Sequence, residues 1–186
     1  MRRMLVAGIC AGLLAVPAAC SSEDDAGAGG APSPAAPGSS SATPTATLAA
    51  DLPPVTDERS LLVLMREQFP ASRIRQVSVE SRTDDYTRSR VTYEAGDLTI
   101  SGVLLAHAGF VVLHTAYRGH ATSDEPVDAF DRESRLGYTR DTIHAVLALE
   151  GEPYVDPDRM AMLGRSMGGG VTLNALVAYP GLVDAA

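Results

Sequence analysis

Between Arg159 and Tyr179 the chain passes from an apolar segment through a glycine-flanked serine into a second apolar stretch, with no spacer between them. Arg159-Met160-Ala161-Met162-Leu163-Gly164 reads as a strand. Val171, Leu173, Leu176 and Val177 mark a helix that stops near Tyr179-Pro180-Gly181. Ser166 sits on the junction. A strand that becomes a helix this abruptly must bend sharply, and Gly164 and Gly168, two residues to either side of the serine, suit so crowded a bend. A serine hydroxyl is a weak nucleophile that needs exposure and activation. The bend lifts its oxygen above the sheet, and the helix start points free N–H groups and a positive dipole end at it. Ser166 is then the candidate nucleophile. The Met167 N–H is a candidate donor to the oxyanion of a tetrahedral intermediate, and Gly169 and Gly170 let the helix pack closely.

Upstream, Glu58 to Phe69 predicts a short helix ended by Pro70. Val77–Val79 and Arg90–Tyr93 predict strands across the polar stretch Arg82-Thr83-Asp84-Asp85. In Leu98 to Leu105, Leu98, Ile100 and Gly102 alternate with Thr99, Ser101 and Val103, which predicts a half-buried strand. Gly109-Phe110-Val111-Val112-Leu113-His114-Thr115 is a continuous apolar run and predicts a strand buried on both faces. After a polar loop from Arg118 to about Leu136, Ile143, Val146, Leu147 and Leu149 give Tyr138–Glu150 helical spacing. Strand, helix, strand, helix in that order implies right-handed crossovers and a mostly parallel sheet flanked by helices, an α/β fold over residues 51–186.

Four stretches of Gly109 to Ala186 carry a resemblance: Ala108-Gly109-Phe110-Val111-Val112, Tyr117-Arg118-Gly119-His120, Val155-Asp156-Pro157-Asp158-Arg159 and Gly164-Arg165-Ser166-Met167-Gly168-Gly169. In order and spacing they resemble the catalytic domain of the prolyl oligopeptidase-like (S9) and dienelactone-hydrolase-like α/β-hydrolases. The resemblance implies serine-dependent hydrolysis of a peptide or ester through an acyl-enzyme at Ser166.

The machine so implied lacks parts. In this fold the triad follows the order Ser, acid, His along the chain. After Ser166 only Asp184 is acidic, and the four histidines, His107, His114, His120 and His144, all precede it. Asp184 lies too near Ser166 for a triad acid. His120 reads as a loop-positioning residue, His114 as a buried strand histidine and His144 as partly exposed on its helix. Family members also place a strand, an oxyanion loop and a helix between the equivalents of Leu105 and Ala108. Here Ala106-His107-Ala108-Gly109 joins the flanks directly, with no room for the crossover that a parallel neighbour needs. The expectation is a partial α/β-hydrolase domain with an incomplete triad. The alternative is a catalytically inactive binding or scaffold protein on a decayed hydrolase fold.

The N-terminus sets the surroundings. Arg2 and Arg3 precede an apolar run from Met4 to Val16, as in a secretory signal spanning residues 1–19. Ala18-Ala19-Cys20 resembles a bacterial lipobox, although Pro17 stands where Leu is usual. The resemblance implies a lipid on Cys20 and attachment to the outer face of the cell membrane, with a secreted protein as the alternative. Residues 20–50 are rich in Ser, Ala, Gly and Pro without apolar periodicity, which predicts a disordered tether. Loss of Arg2 and Arg3 would take the net charge from −8 to −10, and the chain has no Lys, so nucleic acid is an unsuitable partner. No spacing suggests a metal site, and no glycine loop suggests a nucleotide cofactor.

Overall fold

A computed structural model describes residues 52–186. The predicted signal segment, Cys20 and the tether lie outside the described residues. Four strands, β1 (Arg75–Arg82), β2 (Thr87–Ala95), β3 (Leu98–His107) and β4 (Phe110–Thr115), form one sheet in chain order. Every neighbouring pair is antiparallel. This corrects the expected parallel sheet. The cause is the link between β3 and β4: Ala108 and Gly109 both take positive φ, 41° and 84°, the geometry of a two-residue turn that folds a strand straight back. The same region was expected to lack room for a crossover, and without one the next strand can only return antiparallel.

β2 and β3 give the sheet its inner face. Val91, Tyr93, Ala95 and Ile100 are buried there. The 16-residue helix α3 (Arg135–Glu150) covers them, bringing Ala145 and Ala148 against Tyr93, Ala95 and Ile100. On its other side α3 meets α1 (Leu61–Leu64) and α4 (Met167–Ala178), where Leu64, Leu136, Ile143, Ala175, Ala178 and Leu182 form a second cluster. α2 (Ala129–Glu133) precedes α3 and is capped by the Asp128 side chain, which accepts from the Phe130 N–H.

Three expectations change. The helix over Glu58–Phe69 shrinks to the four residues of α1, because Arg66 and Glu67 make i→i−3 hydrogen bonds that tighten and end it. β4 is not buried on both faces. It is an edge strand whose residues alternate between exposed and half-buried, with Phe110 73% and Val112 53% exposed. The two helical and strand histidines exchange roles: His114 is exposed on β4, whereas His144 is 3% exposed within α3. A helix packed on two sides buries residues that a one-sided amphipathic pattern would place outside.

A network of charges fixes the loop after β4. Arg118 is buried and forks onto Asp141 of α3, with Nη2 to Oδ1 at 2.8 Å and the Arg118 N–H to Oδ2 at 2.7 Å. Arg118 also pairs with Asp131, which accepts from Arg140, and Arg140 in turn grips Glu67 at 2.7 Å. Gly137 makes room, since a Cβ there would meet Arg118 Cδ at 2.9 Å and the Asp131 carbonyl. Burial pushes the Asp141 carboxyl up against the pull of Arg118.

His144 packs edge-on against Phe69 at 5.4 Å, and its Nδ1 has no partner. Burial lowers its pKa; the Pro70 carbonyl, Glu67 and Asp141 raise it, and Arg118 lowers it further. The unfolded chain therefore takes up this proton at a higher pH than the folded one. The stabilisation is complete above about pH 6.5 and is lost as pH falls through the folded value. Urea unfolding at pH 7.5 and 5.5 should show wild type losing stability on acidification and His144→Leu losing less. Equal losses would contradict this assignment.

Candidate active site

The approach to Ser166 begins in an Asx turn, where Asp156 Oδ1 accepts from the Asp158 N–H at 3.2 Å. The segment that follows is not the expected strand. Its one bridge pairs Ala161 with Ala185, in parallel, through Met162 N–H to the Ala185 carbonyl and Asp184 N–H to the Met160 carbonyl, both 2.9 Å. The extended run, α4 and the return at residues 183–185 make one parallel crossover, the only parallel pairing among the described residues. The Asp184 carboxylate accepts from the Met160 N–H at 2.8 Å, which gives it a structural task in this bridge.

Ser166 is the N-cap of α4 with φ 56° and ψ −117°, a backbone conformation strained for any residue with a Cβ. Its side chain makes no capping hydrogen bond and is exposed. Among the described residues the Met167 N–H finds no acceptor, whereas Gly168 N–H reaches the Arg165 carbonyl at 3.0 Å and Gly170 N–H the Ser166 carbonyl at 3.2 Å. A hydroxyl and an unspent backbone donor thus sit side by side at the positive end of a 12-residue helix.

The glycines divide the work unevenly. A Cβ on Gly164 would collide with the Gly168 carbonyl and with Thr172 Oγ1, so the bend requires glycine at that position. At Gly168 a Cβ meets nothing within 4 Å, and the expectation that both flanking glycines relieve crowding is corrected for this one. A Cβ on Gly169 would lie 3.4 Å from the Gly164 carbonyl oxygen, so glycine there also eases the close approach.

No histidine hydrogen-bonds Ser166. His107 Nδ1 is bound to the Asp85 carbonyl and His120 Nδ1 to the Arg118 carbonyl at 2.9 Å. His120 also abuts Tyr138 edge-on, the loop-positioning role read from its sequence context. His114 faces outward on β4, and His144 is walled in by Phe69. Two grooves open on the surface. One of about 450 Å³ lies beside Tyr86, His107 and Phe110; the other, of about 1220 Å³, lies beside Arg118, Asp131, Arg140 and His144. Ser166 lines neither. Among the described residues no group of His, Cys, Asp and Glu could hold a metal ion.

Sequence reasoning missed Asp141. The signal was present: Tyr138, Asp141, Ala145 and Ala148 share one helical stripe, and a carboxylate on an inward stripe demands a buried cation. It also missed Arg135, whose guanidinium lies 3.5 Å from where a Gly170 side chain would begin, beside the first turn of α4.

A strained, exposed serine thus stands between an extended lead-in and a helix start, with a free N–H next to it, the backbone form that a nucleophile elbow would need. Residues 99–186 match the family model described as the prolyl oligopeptidase family, a match that supports a prolyl oligopeptidase-like catalytic domain over this stretch. The match runs from β3 through the elbow to the last residue. No curated protein and no solved structure matches the chain.

The two glycines provide a paired test. Gly164→Ala should destabilise by about 2 kcal/mol or more, through overpacking against backbone. Gly168→Ala should be neutral or stabilise by up to about 1 kcal/mol, through helix propensity. Chemical denaturation of both variants checks this; equal effects would contradict the geometry.

Proposed function

We propose that the chain carries the acyl-transfer elbow of a prolyl oligopeptidase-like serine hydrolase, with Ser166 as nucleophile and the Met167 N–H as one oxyanion donor. Its substrate would be a peptide or an ester. The observation that carries this reading is the strained backbone of an exposed Ser166 beside an unspent donor. Strain of this kind persists only where the surroundings enforce it, here the close approach of Gly164 to the first turn of α4. The proton of Ser166 has no acceptor among the described residues, so the elbow is presented without the base that would activate it. The family match supports serine-hydrolase chemistry at the level of the family.

One observation favours the second reading, a binding protein with a silent elbow: all four histidines are engaged or turned away from Ser166. A single experiment separates the two. A fluorophosphonate probe should label the chain slowly at neutral pH, label it faster as free imidazole is added, and leave Ser166→Ala unlabelled. Imidazole supplies the missing base to an exposed hydroxyl. Rapid labelling without imidazole would show that a base is present. No labelling at high imidazole would favour the silent elbow.

We further propose a lipid anchor on Cys20 that holds this domain at the outer face of a bacterial membrane, supported by the Arg2-Arg3 start, the apolar run to Val16 and Ala18-Ala19-Cys20. Among the described residues no helix is long and apolar enough to cross a membrane. Cells grown on an alkyne-tagged fatty acid should yield a labelled protein that partitions with membranes. Cys20→Ser should be unlabelled and released; unchanged labelling would refute the anchor.

A further inference from the structure

The two edges of the sheet differ in kind. β1 carries charges at Arg75, Glu80 and Arg82, and its pairing with β2 slips at Gln76/Ser78 and again at Val79/Ser81. Charges and bulges of this sort stop another strand from adding on. β4 has none of these guards. It reads Phe-Val-Val-Leu-His-Thr, without charge, proline or register shift, and pairs with β3 in unbroken register from Gly102–Thr115 to His107–Phe110.

The turn fixes which backbone groups face the open side. It closes on the His107–Phe110 pair, so alternation turns the N–H and C=O of Phe110, Val112 and His114 toward β3 and those of Val111 and Leu113 outward. Among the described residues no hydrogen bond from anything beyond β3 reaches these outward backbone groups. Phe110 and Val112 stay largely exposed, on the same outward face as Val103 and Leu105 of β3.

We infer that β4 is the interface of a twofold dimer, in which a second copy of this chain adds its own β4 antiparallel to the first. A strand related to itself by an axis normal to the sheet keeps each side chain on its own face, so only registers centred on a residue are allowed. Centring on Val112 sets Val112 against Val112 of the second copy and Phe110 against His114, an aromatic cross-strand pair, while Val111 and Leu113 exchange backbone hydrogen bonds. Charge favours this occupant. The chain is acidic, at −8, so contact between copies must avoid carboxylates. Along β4 and the adjoining residues of β3 there are none; Arg88 and Arg90, opposite Leu105 and Val103, are already paired with Glu80, and the carboxylates of Asp84 and Asp85 belong to the turn at the Phe110 end of the strand. The blunted β1 edge stops growth beyond two copies, so the assembly closes instead of running on as a fibre.

The test uses the full 186-residue chain. Sedimentation velocity over a concentration series should show a monomer–dimer equilibrium. Val112→Lys, a change at an exposed position that leaves the fold intact by circular dichroism, should weaken dimerisation about tenfold or more. Val112→Cys should give an oxidative dimer on a non-reducing gel well above the wild-type background from Cys10 and Cys20, and Leu113→Cys should not. A monomer at every concentration, growth beyond the dimer, an unaffected Val112→Lys, or cross-linking through Leu113→Cys in place of Val112→Cys would each overturn the inference.

Discussion

The fork between Arg118 and Asp141 is the contact on which the rest of the domain depends. Its two ends belong to parts of the chain that share no secondary structure, the loop leaving β4 and the middle of α3. A carboxylate with 0% exposure and a guanidinium with 4% are tolerable only together, because either one alone would be a buried, uncompensated charge. Asp131 and Arg140 extend the alternation of charges to Glu67 and so reach the segment after α1. Tyr93 closes the other side: its hydroxyl lies 2.5 Å from Thr115 Oγ1 and donates to the Asp141 carbonyl at 3.0 Å, and burial pushes its pKa up. Sheet, loop and α3 are therefore locked to one another by contacts that do not involve α4. The elbow is positioned by that lock, since α4 packs on α3 through Ala175, Ala178 and Ile143.

From this order follows a division between scaffold and chemistry. The antiparallel sheet and α3 form a satisfied core. The lead-in to Ser166 does not join that sheet and pairs only with residues 183–185. Leu163, one residue before Gly164, is fully exposed, and Leu173 of α4 is 65% exposed. The bend at Ser166 thus rests on one helix face and one short parallel bridge, yet keeps its strained backbone.

The elbow was legible in the sequence because three local signals agree there: an apolar lead-in, a glycine-serine-glycine bend and a helical apolar pattern. The helix over Tyr138–Glu150 was legible for the same reason. The sheet was not. An apolar run such as Phe110–Leu113 reads the same whether it is a central strand or an edge left uncovered, and only the Ala108–Gly109 turn decides between them. Strand direction is a long-range property that periodicity does not encode. His144 was misplaced because one-sided amphipathicity was assumed for α3, which packs on two sides, and His114 because β4 was read as buried on both faces. Asp141 was passed over because the apolar residues alone were counted on its helix, although its stripe pointed inward.

In the proposed function the surrounding structure holds Ser166 in a strained bend prepared for nucleophilic chemistry, which an idle glycine turn would have no cause to strain. The most direct measurement is the unfolding free energy of Ser166→Gly against wild type. Glycine accepts φ 56° and ψ −117° without a Cβ penalty, so the variant should be more stable by about 1 kcal/mol or more. Ser166→Ala, which keeps the Cβ, should show no such gain. A Ser166→Gly chain no more stable than wild type would show that the bend is unstrained and contradict the account.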